Sequence, residues 1–310
     1  MSVTATVSPA INNSIGLAAE YLPLLDEIYK AESKTAILDT AQDRVYYDPK
    51  AHTFNLFEID MVGNADYSRN DGFVRGDVTA QWRSYAPQWD RGRQFSIDRI
   101  SDAEAQGMVL PSIGSEYMRL KAIPETDALR FEAYSKGASN SMKTAESIST
   151  AAGAIAAIDL GTEKLDDAEV PYEGRILFVN PAMYRLIKGG ISRMVMNGEN
   201  DVNFNVEFYN DMRVIMVPSG RFNTAISLAQ PTAHDGAGGY TATGSTINFL
   251  IIHPTAIMQA NCFTEPRIFS PAVNQQSQGW LYDFRQYHGA WVKHQKTNGI
   301  YLNAPAAVSA

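Results

Sequence analysis

The stretch Gln81-Trp82-Arg83-Ser84-Tyr85-Ala86-Pro87-Gln88-Trp89-Asp90-Arg91-Gly92-Arg93-Gln94-Phe95-Ser96-Ile97-Asp98 alternates bulky aromatics with charges and turn residues. Each ring carries a large apolar area, yet the neighbouring positions offer few apolar companions, so the segment cannot build a core by itself. Any fold that contains it must bring another surface to it.

Upstream, Thr53 to Met61 shows the period of a strand, with Phe57, Ile59 and Met61 on one side and Glu58 and Asp60 on the other. A turn-rich passage runs from Gly63 to Gly72, and an extended run follows from Phe73 to Ile97. Residues 53–98 therefore read as a long two-stranded ribbon, which is marginal in water when isolated. Arg75, Trp82, Arg83, Tyr85, Trp89, Arg91 and Arg93 make the Arg-plus-aromatic mixture enriched at protein–protein contacts, and they are the candidate inter-subunit residues. Two other readings stand beside this one: a hairpin folded onto its own domain, and a stacking platform for single-stranded nucleic acid.

The formal net charge of −8 weighs against nucleic-acid binding as the main task. With 310 residues, 45% of them hydrophobic, the chain can bury a substantial core in one or two domains. Cys262 is the single cysteine, which excludes an internal disulfide and predicts a buried apolar packing role. The N-terminus lacks the basic start and apolar run of a secretory signal, and no stretch has the roughly 18 apolar residues of a membrane helix, so no membrane partner is expected.

Residues 1–16 are small and polar without sustained period. Leu17, Tyr21, Leu24, Leu25 and Ile28 then recur at helical spacing. Ser101-Asp102-Ala103-Glu104 is a capping box that predicts the start of a long helix, in which Ile113, Tyr117 and Leu120 share a face and Pro111 and Pro124 introduce breaks. After Lys136–Asn140 an alanine-rich helix is predicted from about Ala145 to Ala157, followed by a strand over Arg175–Val179 and a helix over Ala182–Ile187, capped by Asn180-Pro181. Strands are predicted at Met212–Val217 and Ile247–Ile252, separated by a glycine-rich loop over Gln230–Gly244. A short helix over Thr255–Gln259 and a β-rich aromatic tail end the chain near Tyr301.

Signatures of catalysis are missing. There is no G-x-S-x-G elbow, H-E-x-x-H helix or G-x-x-x-x-G-K-[ST] loop. Gly236-Ala237-Gly238-Gly239-Tyr240-Thr241 departs from a dinucleotide fingerprint at its last position and reads as a surface loop. His52, His234, His253, His288 and His294 lack metal-ligand spacing, and His253 reads as a strand-end residue. Asp201-Val202-Asn203-Phe204-Asn205 begins like a calcium loop, but Val206 stands where the turn needs glycine, which favours a strand edge. No catalytic residue, cofactor or metal site is expected.

Several stretches, in this order, resemble the major capsid (coat) proteins of tailed bacteriophages with the Hong Kong 97-like fold. They are Asp90–Asp98 running into Asp102-Ala103-Glu104, Ile123–Ala128, Val170–Pro181, Val214–Ser219, Ile251–Pro254 with Ala256, and Arg285–Val292 followed by Gly299-Ile300-Tyr301. The resemblance covers about residues 20–303 and implies an α+β fold. Its parts would be an N-terminal arm and first helix at 1–52, an extended β-hairpin loop at 53–98 and a peripheral-domain spine helix at 99–138. An axial domain at 139–245 and a return to the peripheral domain over 246–310 would complete it.

The resemblance implies an icosahedral shell of hexamers and pentamers of this chain around double-stranded DNA held without sequence specificity. A portal protein is a further implied partner, whereas the presence of a decoration protein is left open. Assembly would take place in the host cytoplasm and end in the virion. Some members carry a helical scaffolding segment ahead of the shell domain. Here the recognisable part begins within the first ~20 residues, which implies a separate scaffolding protein. Other members crosslink through a lysine of the extended loop, but residues 53–98 contain no lysine, so non-covalent contacts are expected to lock the shell. A nanocompartment shell is the runner-up reading, and a soluble α+β enzyme using the glycine-rich loop is a third.

Overall fold

The computed structural model describes residues 32–39, 45–48, 53–70, 72–98, 109–191, 206–230, 236–271, 273–274 and 279–305. The helix expected over 17–28, the capping box at 101–104, His52, His234 and the 201–205 segment lie outside them.

Four strands come first: β1 (Val45–Asp48), β2 (Thr53–Met61), β3 (Val78–Tyr85) and β4 (Trp89–Asp98). Helix α1 (Val109–Tyr117) continues through a π-helical turn, Met118–Ala122, into α2 (Ile123–Gly137). Proline has no N–H for the bond to the residue four before it, and its ring crowds that carbonyl. The wider π turn just ahead of Pro124 absorbs this misfit, so the spine passes the proline without ending. Next come β5 (Lys143–Ala145), α3 (Ala151–Asp167), β6 (Ile176–Val179) and α4 (Pro181–Ile191). The remaining strands are β7 (Phe208–Tyr209), β8 (Met212–Met216), β9 (Ile226–Ala229), β10 (Gly239–Ala242), β11 (Phe249–Ile252), β12 (Ile257–Phe269), β13 (Gly279–Val292) and β14 (Ile300–Ala304).

A six-stranded mixed sheet, ordered β5-β14-β11-β6-β8-β7, holds the largest core. Its central strands β6 and β11 are buried at every position, the mark of a sheet covered on both faces. Strand alternation divides their side chains. Ile176, Phe178, Leu250, Ile252, Ile300 and Leu302 meet Phe131 and Tyr134 of α2, whereas Leu177, Val179, Phe249, Ile251 and Tyr301 meet Ala154, Ile158 and Leu165 of α3 and Met183 and Ile187 of α4. A second sheet, β12-β13-β4, is antiparallel, and Tyr282 and Phe284 of β13 pack under Met118, Ala122 and Ile123. The spine thus bridges the two sheets. Residues 246–310 supply strands to both.

Several boundaries differ from expectation. The ribbon is shorter: β2 pairs with β3, but Trp89–Asp98 pairs along its length with Gly279–His288 of β13. Ala86-Pro87 interrupts the run, and β13 offers β4 the apolar partners that the local sequence lacks. Helix α3 starts at Ala151 because Thr150 caps it, its hydroxyl accepting from Gly153 N at 3.1 Å, and it runs on to Asp167. The loop over 230–244 contains β10, and the short helix expected at 255–259 is one 3₁₀ turn, Pro254–Ala256, before β12 begins. Cys262 is half-buried at an irregularity of β12, with burial pushing its thiol up to about 11. Where Asn180 caps α4, its side chain accepts from Met183 N at 2.6 Å. His253 ends β11 as a strand-end residue, its ring nitrogen accepting from Thr255 N.

Candidate assembly interface

The β2–β3 register sets the two faces of the ribbon. Phe54, Leu56 and Glu58 stand opposite Tyr85, Arg83 and Gln81, while Phe57, Ile59 and Met61 stand opposite Trp82, Ala80 and Val78. The charged face turns inward. Glu58 is 5% exposed and accepts from Arg83 Nε at 3.0 Å and from Tyr85 Oη at 3.2 Å. Burial, with Glu58 adding to it, raises the pKa of the Tyr85 phenol, which keeps it a donor. At the ribbon's base, Phe54 and Tyr85 lie 5.8 and 6.0 Å from the Trp291 ring of β13. Gln295 Nε2 donates to Ile59 O at 3.3 Å.

The apolar face turns outward. Trp82 is 60% exposed, with its ring 5.1 Å from Phe57, and Ile59, Met61 and Val78 are exposed beside it. At the tip, Gly72 takes a φ of 81°, closing a turn in which Gly72 N donates to Ser68 O at 2.8 Å. This brings Tyr67 within 4.9 Å of Phe73, the latter 86% exposed. Arg69 and Arg75 are exposed on the same tip. Exposed apolar residues grouped in this way are a feature of protein-interaction surfaces.

Strand β4 behaves differently. Trp89, Arg91, Arg93, Phe95 and Ile97 share the face turned toward the spine. Trp89 lies 5.3 Å from the His288 ring, and Phe95 meets Tyr117 edge-on at 5.0 Å. Arg91 Nε donates to Glu125 Oε1 at 2.5 Å, and its Nη2 donates to Ala229 O and Gly239 O. Arg93 Nη2 donates to Gly236 O at 3.0 Å. The glycine-rich loop therefore turns carbonyls toward two guanidiniums, whereas a phosphate cradle offers N–H groups. On the opposite face Arg285 forks onto Asp90 at 2.9 and 2.6 Å and holds that carboxyl below its ordinary pKa. Gly92 is sterically required, since a Cβ there would stand 2.8 Å from Phe284 O. Between β4, α1 and the loop lies an open cleft of about 750 Å³, into which Ile113, Tyr117 and Leu120 project.

Of the candidate residues, Arg75 and Trp82 are thus on the exposed ribbon, Arg83 and Tyr85 on its inner face, and Trp89, Arg91 and Arg93 inside the body. Sequence reasoning missed Glu58 as the acceptor at the ribbon's base, and it missed the aromatic tip of Tyr67 and Phe73. Tyr67 and Phe73 bracket the turn signals, which was the available clue.

No protein-family model and no curated protein matches the chain. Solved structures do. The capsid of the cyanophage P-SCSP1u aligns with a TM-score of 0.60 at 13% identity, covering 100% of this chain and 93% of that one. The mature capsid of bacteriophage PhiM1 aligns at 0.59 and 12%, covering 83% of each chain. A virus-like particle from Pyrococcus furiosus aligns at 0.51 and 12%, covering 92% of this chain and 100% of that one. At these identities the likeness is one of architecture, and this chain has the α+β fold of tailed-phage capsid proteins, the Hong Kong 97-like fold that its sequence resembles.

Proposed function

We propose that this chain is the major capsid protein of a tailed bacteriophage, closing with copies of itself into an icosahedral shell around double-stranded DNA. The observation that carries the reading is the outward apolar face of a ribbon rooted on a capsid fold. In a monomer this face is a liability. In a shell, Trp82, Phe57 and the Tyr67–Phe73 tip bury on an adjacent copy, each large aromatic adding about 1.5–3 kcal/mol on full burial. Closed symmetry repeats the contact at every subunit, so weak interfaces sum to a stable particle. Trp82 and Arg75 carry the contact directly, while Arg83 and Tyr85 tie β3 to β2 through Glu58. Trp89, Arg91 and Arg93 brace the body.

A scaffolding protein would guide closure in the host cytoplasm, a portal would occupy a unique vertex, and any decoration protein would bind the finished virion. Packaged DNA would be held without sequence specificity. Negative-stain microscopy of the purified chain, with and without its co-expressed scaffold, tests the reading. Closed particles are expected in at least one condition, and monodisperse monomers in both would overturn it. The likeness to the Pyrococcus particle supports a nanocompartment shell as the second reading. Particles that package an enzyme encoded beside this chain, and no genome, would favour it.

A further inference from the structure

A fully buried carboxylate on the spine has no part in the packing described above. Asp127 is 0% exposed, and the groups that face it are donors. Its Oδ1 accepts from Ser33 Oγ at 2.7 Å, Thr35 Oγ1 at 2.7 Å and Thr35 N at 3.3 Å, and its Oδ2 accepts from Lys34 N at 2.9 Å and Arg221 Nη1 at 3.4 Å. Around this hub, Arg130 Nη1 donates to Thr35 Oγ1 at 3.0 Å and Gln259 Nε2 to Thr35 O at 2.8 Å. The 3₁₀ turn Ala36–Leu38 follows directly and drives Leu38, 0% exposed, into the core beside Phe131 and Ile257.

Ser33–Leu38 is therefore read as a peptide: a carboxylate receives its first residues and an apolar slot its last. A buried carboxylate is costly unless hydrogen-bonded, and here the segment supplies most of the donors, so carboxylate and segment depend on each other. Only the link from Asp39 to Val45 separates this anchor from β1, which pairs with β2 through Val45–Leu56, Tyr46–Asn55, Tyr47–Phe54 and Asp48–Thr53. Covalent geometry limits that link to about 20 Å at roughly 3.3–3.6 Å per residue.

We infer that Asp127 is a positioning residue for assembly: by holding Ser33–Thr35 on the spine it fixes the point from which the chain enters β1 and the ribbon. The inference rests on the shell reading for its consequence, and its physical core is testable apart from it. Asp127→Asn keeps the shape but turns an amide N–H₂ against donors. In the purified full-length protein before assembly, tryptic cleavage after Lys34, followed by mass spectrometry, is expected to rise at least tenfold in D127N and severalfold in Thr35→Val. The double variant is expected to be no faster than D127N, because the shared partner is already lost.

T35V carries the test alone if D127N fails to fold. Wild-type cleavage after Lys34 in the folded variants, or rates that multiply in the double variant, would overturn the anchoring of Ser33–Thr35 by Asp127. Microscopy supplies the second reading: D127N is expected to give open or misshapen shells where wild type closes. Normal closure with Lys34 exposed would overturn the positioning role while leaving the shell reading intact, whereas failure of wild type to form particles would count against the shell reading only.

Discussion

The ribbon β2–β3 and the strand β4 come from one continuous Arg- and aromatic-rich stretch, yet they solve its burial problem in opposite ways. In β4, Trp89, Arg91, Arg93 and Phe95 find the spine, the 236–239 loop and β13 of the same chain. In the ribbon, Arg83 and Tyr85 find Glu58, but Trp82 finds Phe57 and solvent, and Tyr67 and Phe73 find each other and solvent. Composition alone does not mark an interface. It marks a demand for a partner, and long-range pairing decides which part of the demand is met within the chain.

Substitutions sharpen this contrast when ranked by their effect on subunit stability. Arg91→Ala leaves Glu125, whose side chain is 14% exposed, without its guanidinium and frees the Ala229 and Gly239 carbonyls. A loss of about 2–4 kcal/mol is expected by chemical denaturation, slightly below a fully buried pair. His288 follows. Burial, and then the nearby Arg130 and Arg91, push its pKa down to about 3. The unfolded imidazole takes a proton near pH 6.5 and the folded one does not, so this residue makes stability fall as pH drops from about 6.5 toward 3, by at most about 1.4 kcal/mol per unit. His288→Gln should flatten that stretch of the stability–pH curve.

Glu58→Gln weakens two hydrogen bonds to a charged acceptor and should cost about 1–2 kcal/mol, read as faster amide exchange in β2 and β3 with the body unchanged. Trp82→Ser is expected to change subunit stability by less than about 0.5 kcal/mol, since its ring is mostly in water already. Its effect on particle yield should nevertheless exceed that of H288Q or E58Q. A Trp82→Ser subunit as unstable as R91A would break the contrast.

Parts of this architecture were legible in the sequence. The period-two pattern at 53–61 located β2 at its observed bounds, and Asn180-Pro181 announced α4. The same alternation named two faces without saying which is inward, because that depends on Glu58 meeting Arg83 and Tyr85 and on Trp291 lying beneath the ribbon's base. The fate of β4 was hidden for a related reason: its partner strand lies almost 200 residues downstream. Thr144 is as cap-competent as Thr150, so the sequence alone does not separate a start of α3 at Ala145 from the observed start at Ala151. The Asp127 hub left no local signal at all, since its donors lie more than 90 positions away along the chain, on either side of it.

The claim that the ribbon's outer face is buried on a neighbouring copy is tested most directly by hydroxyl-radical footprinting of the same preparation before and after assembly. Trp82 and Phe73 should be among the most reactive side chains in the subunit and should lose most of that reactivity in the particle, while Trp89 changes little. Trp82 and Phe73 remaining as reactive in closed particles as in free subunits would contradict the account.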